Sequence, residues 1–226
     1  EDSLTYAAAE KQYDDQKINE ALNSFTAYLQ QFPNGAYALD AQFNRAEIYY
    51  TRKDWNNALQ SYEVVAAHAP NKYAERAVLT AARISFFELK NYPKAETFFA
   101  QLKQITASQE NKLEAMRGLL RSQYQQGKWT DAMENAKELT AAKGSSADDK
   151  SLATMAIAKS YQVSGDYGNA IAQFRSVVQI NKAALAAEAR YETAACYFQL
   201  NKLTDAEKSA FETINKSGSY DYWVTK

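Results

Sequence analysis

Six alanines, Ala21, Ala58, Ala95, Ala132, Ala170 and Ala206, recur along the chain at steps of 37, 37, 37, 38 and 36 residues. Three residues before each stands a large apolar side chain: Ile18, Trp55, Tyr92, Trp129, Tyr167 or Leu203. Four residues after come Phe25, Tyr62, Phe99 and Phe174, with Ala136 and Ala210 as the two weak copies. A period of this length marks a stack of repeated units, each too thin to bury its own faces without a neighbour. Seven Gly and three Pro are too few for the many turns of an all-β chain of 226 residues. The expected fold is all-α.

Each unit reads as two antiparallel helices, A then B. In the first, Tyr6, Ala9 and Tyr13 share one face of helix A. Ile18, Ala21, Leu22, Phe25 and Leu29 follow on helix B with helical periodicity. Phe32-Pro33-Asn34-Gly35 stops it, Gly35 being expected in the left-handed C-cap conformation. In the second unit Asp54 is an expected N-cap. In the third, Asn91-Tyr92-Pro93 opens helix B with proline in the first turn, and Ser108 is positioned to cap the next helix. The junction at Gly144-Ser145-Ser146 is expected to bend most readily. The spacing predicts six units, over about 2–35, 36–72, 73–107, 108–145, 146–182 and 183–218. Residues 219–226 are read as a truncated seventh, because Tyr220-Asp221-Tyr222-Trp223-Val224 lacks the polar outer face of a capping element. Facing alanines (Ala46 with Ala58, Ala158 with Ala170, Ala194 with Ala206) let the helices of a pair approach closely, and the large residues fill the space between pairs.

Composition removes several classes of function. A formal net charge of −1 lacks the cationic excess that phosphate backbones require, so nucleic acid is not an expected ligand. The single cysteine, Cys196, excludes an intrachain disulfide and reads as a small buried filler. His68 is the only histidine, which leaves no His-based triad a second copy and no multi-histidine metal site. Its place near the end of a B helix suits the helix dipole or the surface. No apolar run approaches the ~18 residues of a membrane span. Asp14-Asp15 and Asp148-Asp149 lie beside helix ends, where acidic residues are common. No enzymatic activity, cofactor or metal is expected.

Small-x-x-Tyr on helix A, Gly-x-Tyr at the turn and Ala-x-x-x-Phe on helix B are met most fully by Ala158-x-x-Tyr161, Gly165-Asp166-Tyr167 and Ala170-x-x-x-Phe174. With Ala46-x-x-Tyr49, Trp55-x-x-Ala58-x-x-x-Tyr62 and Pro70 in the second unit, this pattern resembles the tetratricopeptide repeat family from about Ser3 to Ser217. The period here is longer than the usual one of that family, and proline follows only the first two units. Tyr28-Leu-Gln-Gln-Phe-Pro-Asn-Gly-Ala-Tyr37, followed by Phe43-x-x-Ala-x-x-Tyr-Tyr50, is similar to the long repeats of bacterial envelope members, of the Tol–Pal-associated and outer-membrane-assembly lipoprotein kinds. The resemblance implies a right-handed superhelical α-solenoid of about six helix pairs and a periplasmic or envelope-associated setting. It also implies a non-enzymatic scaffold that binds a protein or peptide on a concave wall made by the A helices.

On that wall a second ladder is expected one residue beyond the packing tyrosine: Tyr13, Tyr50, Phe87, Tyr124, Gln162 and Phe198. Tyr6, Phe43, Met155 and Tyr191 lie one or two turns earlier. Arg117, Arg121 and Lys159 fall near the same wall in its second half, and Glu10, Asp14, Asp40 and Glu47 in its first, so an acidic ligand segment would run toward the fourth and fifth units. The carboxylate clamp of chaperone-adaptor members is not reproduced. Aromatic residues of this kind anchor interfaces, but they equally fill space between neighbouring helices. Two other readings stand beside the scaffold: a structural spacer whose functional surface lies elsewhere in a larger protein, and an all-α enzyme or carbohydrate binder stacking sugars on the aromatic wall.

Overall fold

The computed structural model describes residues 1–226 and contains no β-strand. Helix pairs follow one another along the chain: α1 (Asp2–Asp14) and α2 (Ile18–Gln31), α3 (Ala38–Thr51) and α4 (Trp55–Ala67), α5 (Ala74–Arg83) and α6 (Tyr92–Ile105). Then come α7 (Gln109–Gln125) and α8 (Trp129–Ala141), α9 (Ala147–Val163) and α10 (Tyr167–Ile180), α11 (Ala184–Gln199) and α12 (Leu203–Lys216), and the short α13 (Asp221–Thr225). The architecture is the all-α helix-pair array that the alanine ladder implies. Two compact units divide it, Glu1–Ala115 and Met116–Lys226.

Within the first unit, Tyr6, Ala9, Ala21, Phe25, Tyr28, Ala41 and Ile48 form one buried cluster that takes a face from each of α1, α2 and α3. Within the second, Met155, Ala158, Ala170, Phe174, Val177, Ala189 and Cys196 do the same for α9, α10 and α11. Five rungs of the alanine ladder, Ala21, Ala58, Ala95, Ala132 and Ala170, are 0% exposed. Ala206, on the last full pair, is only half-buried.

The turns inside the pairs share one device. Gln16, Lys53, Lys90, Gly127, Gly165 and Asn201 all have φ between +52° and +82°, each two residues before a B helix begins. Only two of the six are glycine, so the other four hold a conformation that costs a side chain about 1 kcal/mol or more. Side-chain caps complete several B-helix starts: Asp54 accepts from Asn57 N, Asn91 from Lys94 N with proline beside it, and Asp166 from Asn169 N. Ser108 likewise accepts from Asn111 N at 3.3 Å.

Two local features, at Gly35 and at the end of α5, differ from the sequence expectation. Gly35 is not among the left-handed residues. Its need for glycine is spatial instead, because a Cβ there would lie 2.5 Å from the Tyr28 hydroxyl and 2.9 Å from Phe32 Cβ. Gly144 takes φ +89° at the junction before α9. Ser146 and Asp149, just after it, form the reciprocal capping box that starts α9. Finally, α5 ends in a π-helical segment, Ile84–Glu88, where Leu89 N donates to Ile84 O at 3.0 Å. Ser85, inside it, is fully buried and its hydroxyl has no partner.

Candidate functional site

Within each unit the A helices stand side by side and are joined by side chains about one repeat apart in the chain. Near the start of α1 and α3, Tyr6 stacks on Tyr37 with ring centres 4.6 Å apart, and Phe43 stacks on Tyr73 at 4.2 Å. One helix turn further on, Glu47 accepts from the Tyr62 hydroxyl at 2.6 Å and pairs with Arg76. Asp40 takes Lys72 at 2.7 Å and the Tyr73 hydroxyl at 2.6 Å. Arg83 pairs with Glu114 through two hydrogen bonds, at 2.6 and 2.7 Å. Two of the acidic residues expected as a free ligand-facing set in the first half, Asp40 and Glu47, are thus engaged by groups at or near the next A helix.

The second unit puts ions at the corresponding rungs. Arg117 donates to both oxygens of Asp149, at 2.5 and 2.8 Å, and the Asp149 side chain is 2% exposed. The Arg117 hydrogen bonds, with the backbone N–H of Ser146, outweigh burial and hold the Asp149 carboxyl down at about 2. Lys159 lies between Glu188 at 3.3 Å and Glu192 at 2.5 Å, with all three side chains 11–13% exposed. Gln162 donates to Glu192, and the Tyr124 hydroxyl to Glu188 at 2.8 Å. Burial first, then the Glu188 charge, push the Tyr124 phenol far above its usual range. Cys196 is buried nearby, and burial raises its thiol to about 11, which keeps it protonated and inert at neutral pH.

The ten residues expected to meet a partner therefore separate. Tyr50, Phe87 and Phe198 are 44%, 50% and 64% exposed. Tyr50 rests edge-on against Trp55, and Phe87 against Phe86. Tyr13, Tyr124 and Tyr191 are half-buried, on Phe25, Trp129 and Trp223 respectively. Phe43 is buried in its stack. Arg117 and Lys159 are consumed by carboxylates of the next A helix, so two of the three cations expected to steer an acidic ligand are neutralised. Arg121 alone of the three keeps its guanidinium free of an ion pair. Partial desolvation first, then the Arg117 charge, lower its pKa. Glu188 and Glu192 escaped the sequence reading. Their one signal was spacing, since each lies about one repeat beyond Lys159.

No group of three or more His, Cys, Asp or Glu side chains comes together as a metal site would require, and no helix is long and apolar enough to cross a membrane. His68 caps the end of α4, with Nδ1 2.7 Å from Val64 O.

A family model for the tetratricopeptide repeat matches residues 6–73 and 155–221. No curated protein matches the sequence. Among solved structures, PilW, a widely conserved type IV pilus biogenesis factor, is 16% identical with a TM-score of 0.55, over 99% of this chain and 96% of that one. MamA is 14% identical with a TM-score of 0.61, over 82% and 95%. YrrB, a repeat protein described as having an unusual peptide-binding site, is 14% identical with a TM-score of 0.59, over 89% and 96%. At these identities the likeness is one of fold.

Proposed function

Because the chain belongs to the tetratricopeptide repeat family, whose fold is a protein–protein interaction scaffold, we propose that it is a non-enzymatic scaffold that binds a protein or peptide on the A-helix faces of its two units. One observation carries this reading. Tyr50, Phe87 and Phe198 stay exposed on A helices while the charged groups around them are spent on internal pairs. Exposed aromatic rings are effective anchors because they bury large area for few frozen rotors. The partner segment is accordingly apolar or aromatic rather than acidic, with Arg121 of α7, which holds no ion pair, available to a carboxylate. The near-neutral chain makes nucleic acid an unsuitable partner. The similarity of its long repeats to those of bacterial envelope proteins supports a periplasmic or envelope-associated setting, as does the likeness in fold to PilW.

The test is capture of partners from the native host by the full-length protein and by a Tyr50→Ser, Phe87→Ser, Phe198→Ser variant. All three sites are solvent-facing, so the variant should fold as the parent does and lose its bound proteins. Retention of the same set would overturn the reading. It would favour the alternative, a spacer within a larger envelope protein, which the internal pairing of the A-face charges also supports.

A further inference from the structure

The A helices turn into their B helices through one shared hydrogen bond, and the third turn departs from it. In the other five, the residue that caps the B helix donates its backbone N–H to the carbonyl five residues earlier. These are Lys17 to Gln12, Asp54 to Tyr49, Lys128 to Gln123, Asp166 to Tyr161 and Lys202 to Tyr197, all at 2.9 or 3.0 Å. In the third turn Asn91 donates to Ser85, six residues earlier, at 2.7 Å. One extra residue is therefore housed here. The flanking positions agree: Ala41, Ala46 and Ile48 of α3 match Ala77, Ala82 and Ile84 of α5 at a step of 36, and all six are at most 1% exposed. Lys53 and Asp54 match Lys90 and Asn91 at a step of 37. The π-helical turn absorbs the difference, since Leu89 N reaches back five residues to Ile84 O where Arg52 N reaches four, to Ile48 O. The alanine ladder conceals the insertion, because Ala58 and Ala95 stay 37 residues apart.

Ring contacts identify what was added. Tyr50 meets Trp55 edge-on at 5.4 Å, and Tyr124 meets Trp129 at 4.7 Å. The ring that meets Tyr92 in this way, at 5.3 Å, is Phe86. Phe86 thus holds the ladder position expected of Phe87, and Phe87 with Glu88 stands where α3 has Thr51 alone. Phe87 meets no ring but Phe86, at 4.9 Å, and is 50% exposed. Helices α4 and α6 both pack on α5, so this exposure does not come from an end of the chain. The insertion has a cost to the fold. Ser85, where the other five A helices carry Tyr or Gln, is buried with its hydroxyl unpartnered. Single π turns of this kind are frequent at functional sites.

The free charge around this ring is acidic. Arg83, one turn earlier, is engaged by both oxygens of Glu114. Those hydrogen bonds first, with smaller contributions from the nearby Tyr50 and Glu110, raise the Arg83 pKa. Glu88 and Glu110 are exposed and hold no ion pair. Building on the scaffold function, we propose that Phe87 is the specificity-determining anchor of the first unit's partner site, a ring gained by a one-residue insertion. It takes a bulky apolar side chain that stands next to a Lys or Arg in the partner segment.

Two deletions test the insertion. Removal of Phe87 should return α5 to regular helical register, with the helical circular dichroism kept and a Tm at or above the parent's. Removal of Thr51, its counterpart in α3, should lower Tm by about 5 °C or more. A fall of that size on removing Phe87 overturns the proposal. For specificity, random dodecapeptides displayed on phage are selected on the full chain and the selected peptides titrated by fluorescence anisotropy. They should carry a bulky apolar residue beside Lys or Arg, and bind both Phe87→Ala and the Phe87 deletion at least tenfold more weakly. Peptides without that pair overturn the proposal, as does equal affinity for Phe87→Ala. If that equal affinity comes with weakened binding by the Tyr50→Ser, Phe198→Ser variant, the scaffold function stands without this anchor; unchanged binding by the triple variant brings down both. A dimer in sedimentation velocity that Phe87→Ala dissociates would assign the ring to a second copy and likewise overturn the proposal.

Discussion

The two units solve one geometric problem with different chemistry. Where adjacent A helices meet in the first unit, flat rings are stacked, Tyr6 on Tyr37 and Phe43 on Tyr73. In the second, the equivalent places hold Arg117 with Asp149 and, nearby, Lys159 between Glu188 and Glu192. Stacked rings gain from apolar area and are indifferent to salt and pH. A buried ion network roughly balances desolvation against attraction while it is complete, and becomes costly when one member is lost. The same rung can thus be robust where rings stack and conditional where ions meet. The turns differ too, but less cleanly: Gln16, Lys53 and Lys90 are left-handed in the first unit, and Gly127, Gly165 and Asn201 in the second.

The largest effect should come from the aromatic rung. Phe43→Ala removes a buried ring and leaves a cavity, costing about 3–4 kcal/mol in urea unfolding, by an amount that does not change between low and high salt. Next is Lys159→Met, which leaves two carboxylates buried together. A loss of about 3 kcal/mol at neutral pH is expected, and a loss below about 1 kcal/mol would show that solvent already screens the network. Asp149→Asn follows at on the order of 2 kcal/mol, because it removes the Arg117 pair and half of the capping box.

The sign of the Asp149 effect fixes its pH window. A carboxyl depressed to about 2 in the folded state stabilises the fold above its unfolded value near 4. That contribution disappears as pH falls from about 4 to 2, so parent and variant should converge there, whereas Phe43→Ala should stay apart from the parent throughout. The smallest effect is in the turns. Lys53→Gly should stabilise by about 0.5–1 kcal/mol in thermal unfolding, while Gly165→Ala should destabilise by about 1 kcal/mol.

Much of this was legible in the chain. Nearly equal steps between alanines gave the helix pairs, and the polar residues before the helices gave Asp54 and Ser108 as caps, because caps act on backbone only two or three residues away. The same local logic misread Gly35. Its constraint comes from the Tyr28 hydroxyl and Phe32, and no turn pattern reports crowding by side chains packed over it. The π-helical end of α5, with its orphaned Ser85 hydroxyl, likewise has no sequence signature in this chain.

The candidate site was the least legible part. Sequence alone determined that aromatics and charges recur on the A helices, since a nearly constant period returns each position to the same face. Tertiary structure decided which of them are free. Arg117 and Lys159 look like ligand-facing cations until carboxylates about one repeat later are brought beside them, whereas Tyr50, Phe87 and Phe198 keep 44%, 50% and 64% of their surface exposed. Pairing across neighbouring helices depends on how each helix is rotated about its own axis. That rotation is set by the packing of whole faces rather than by any local run of residues.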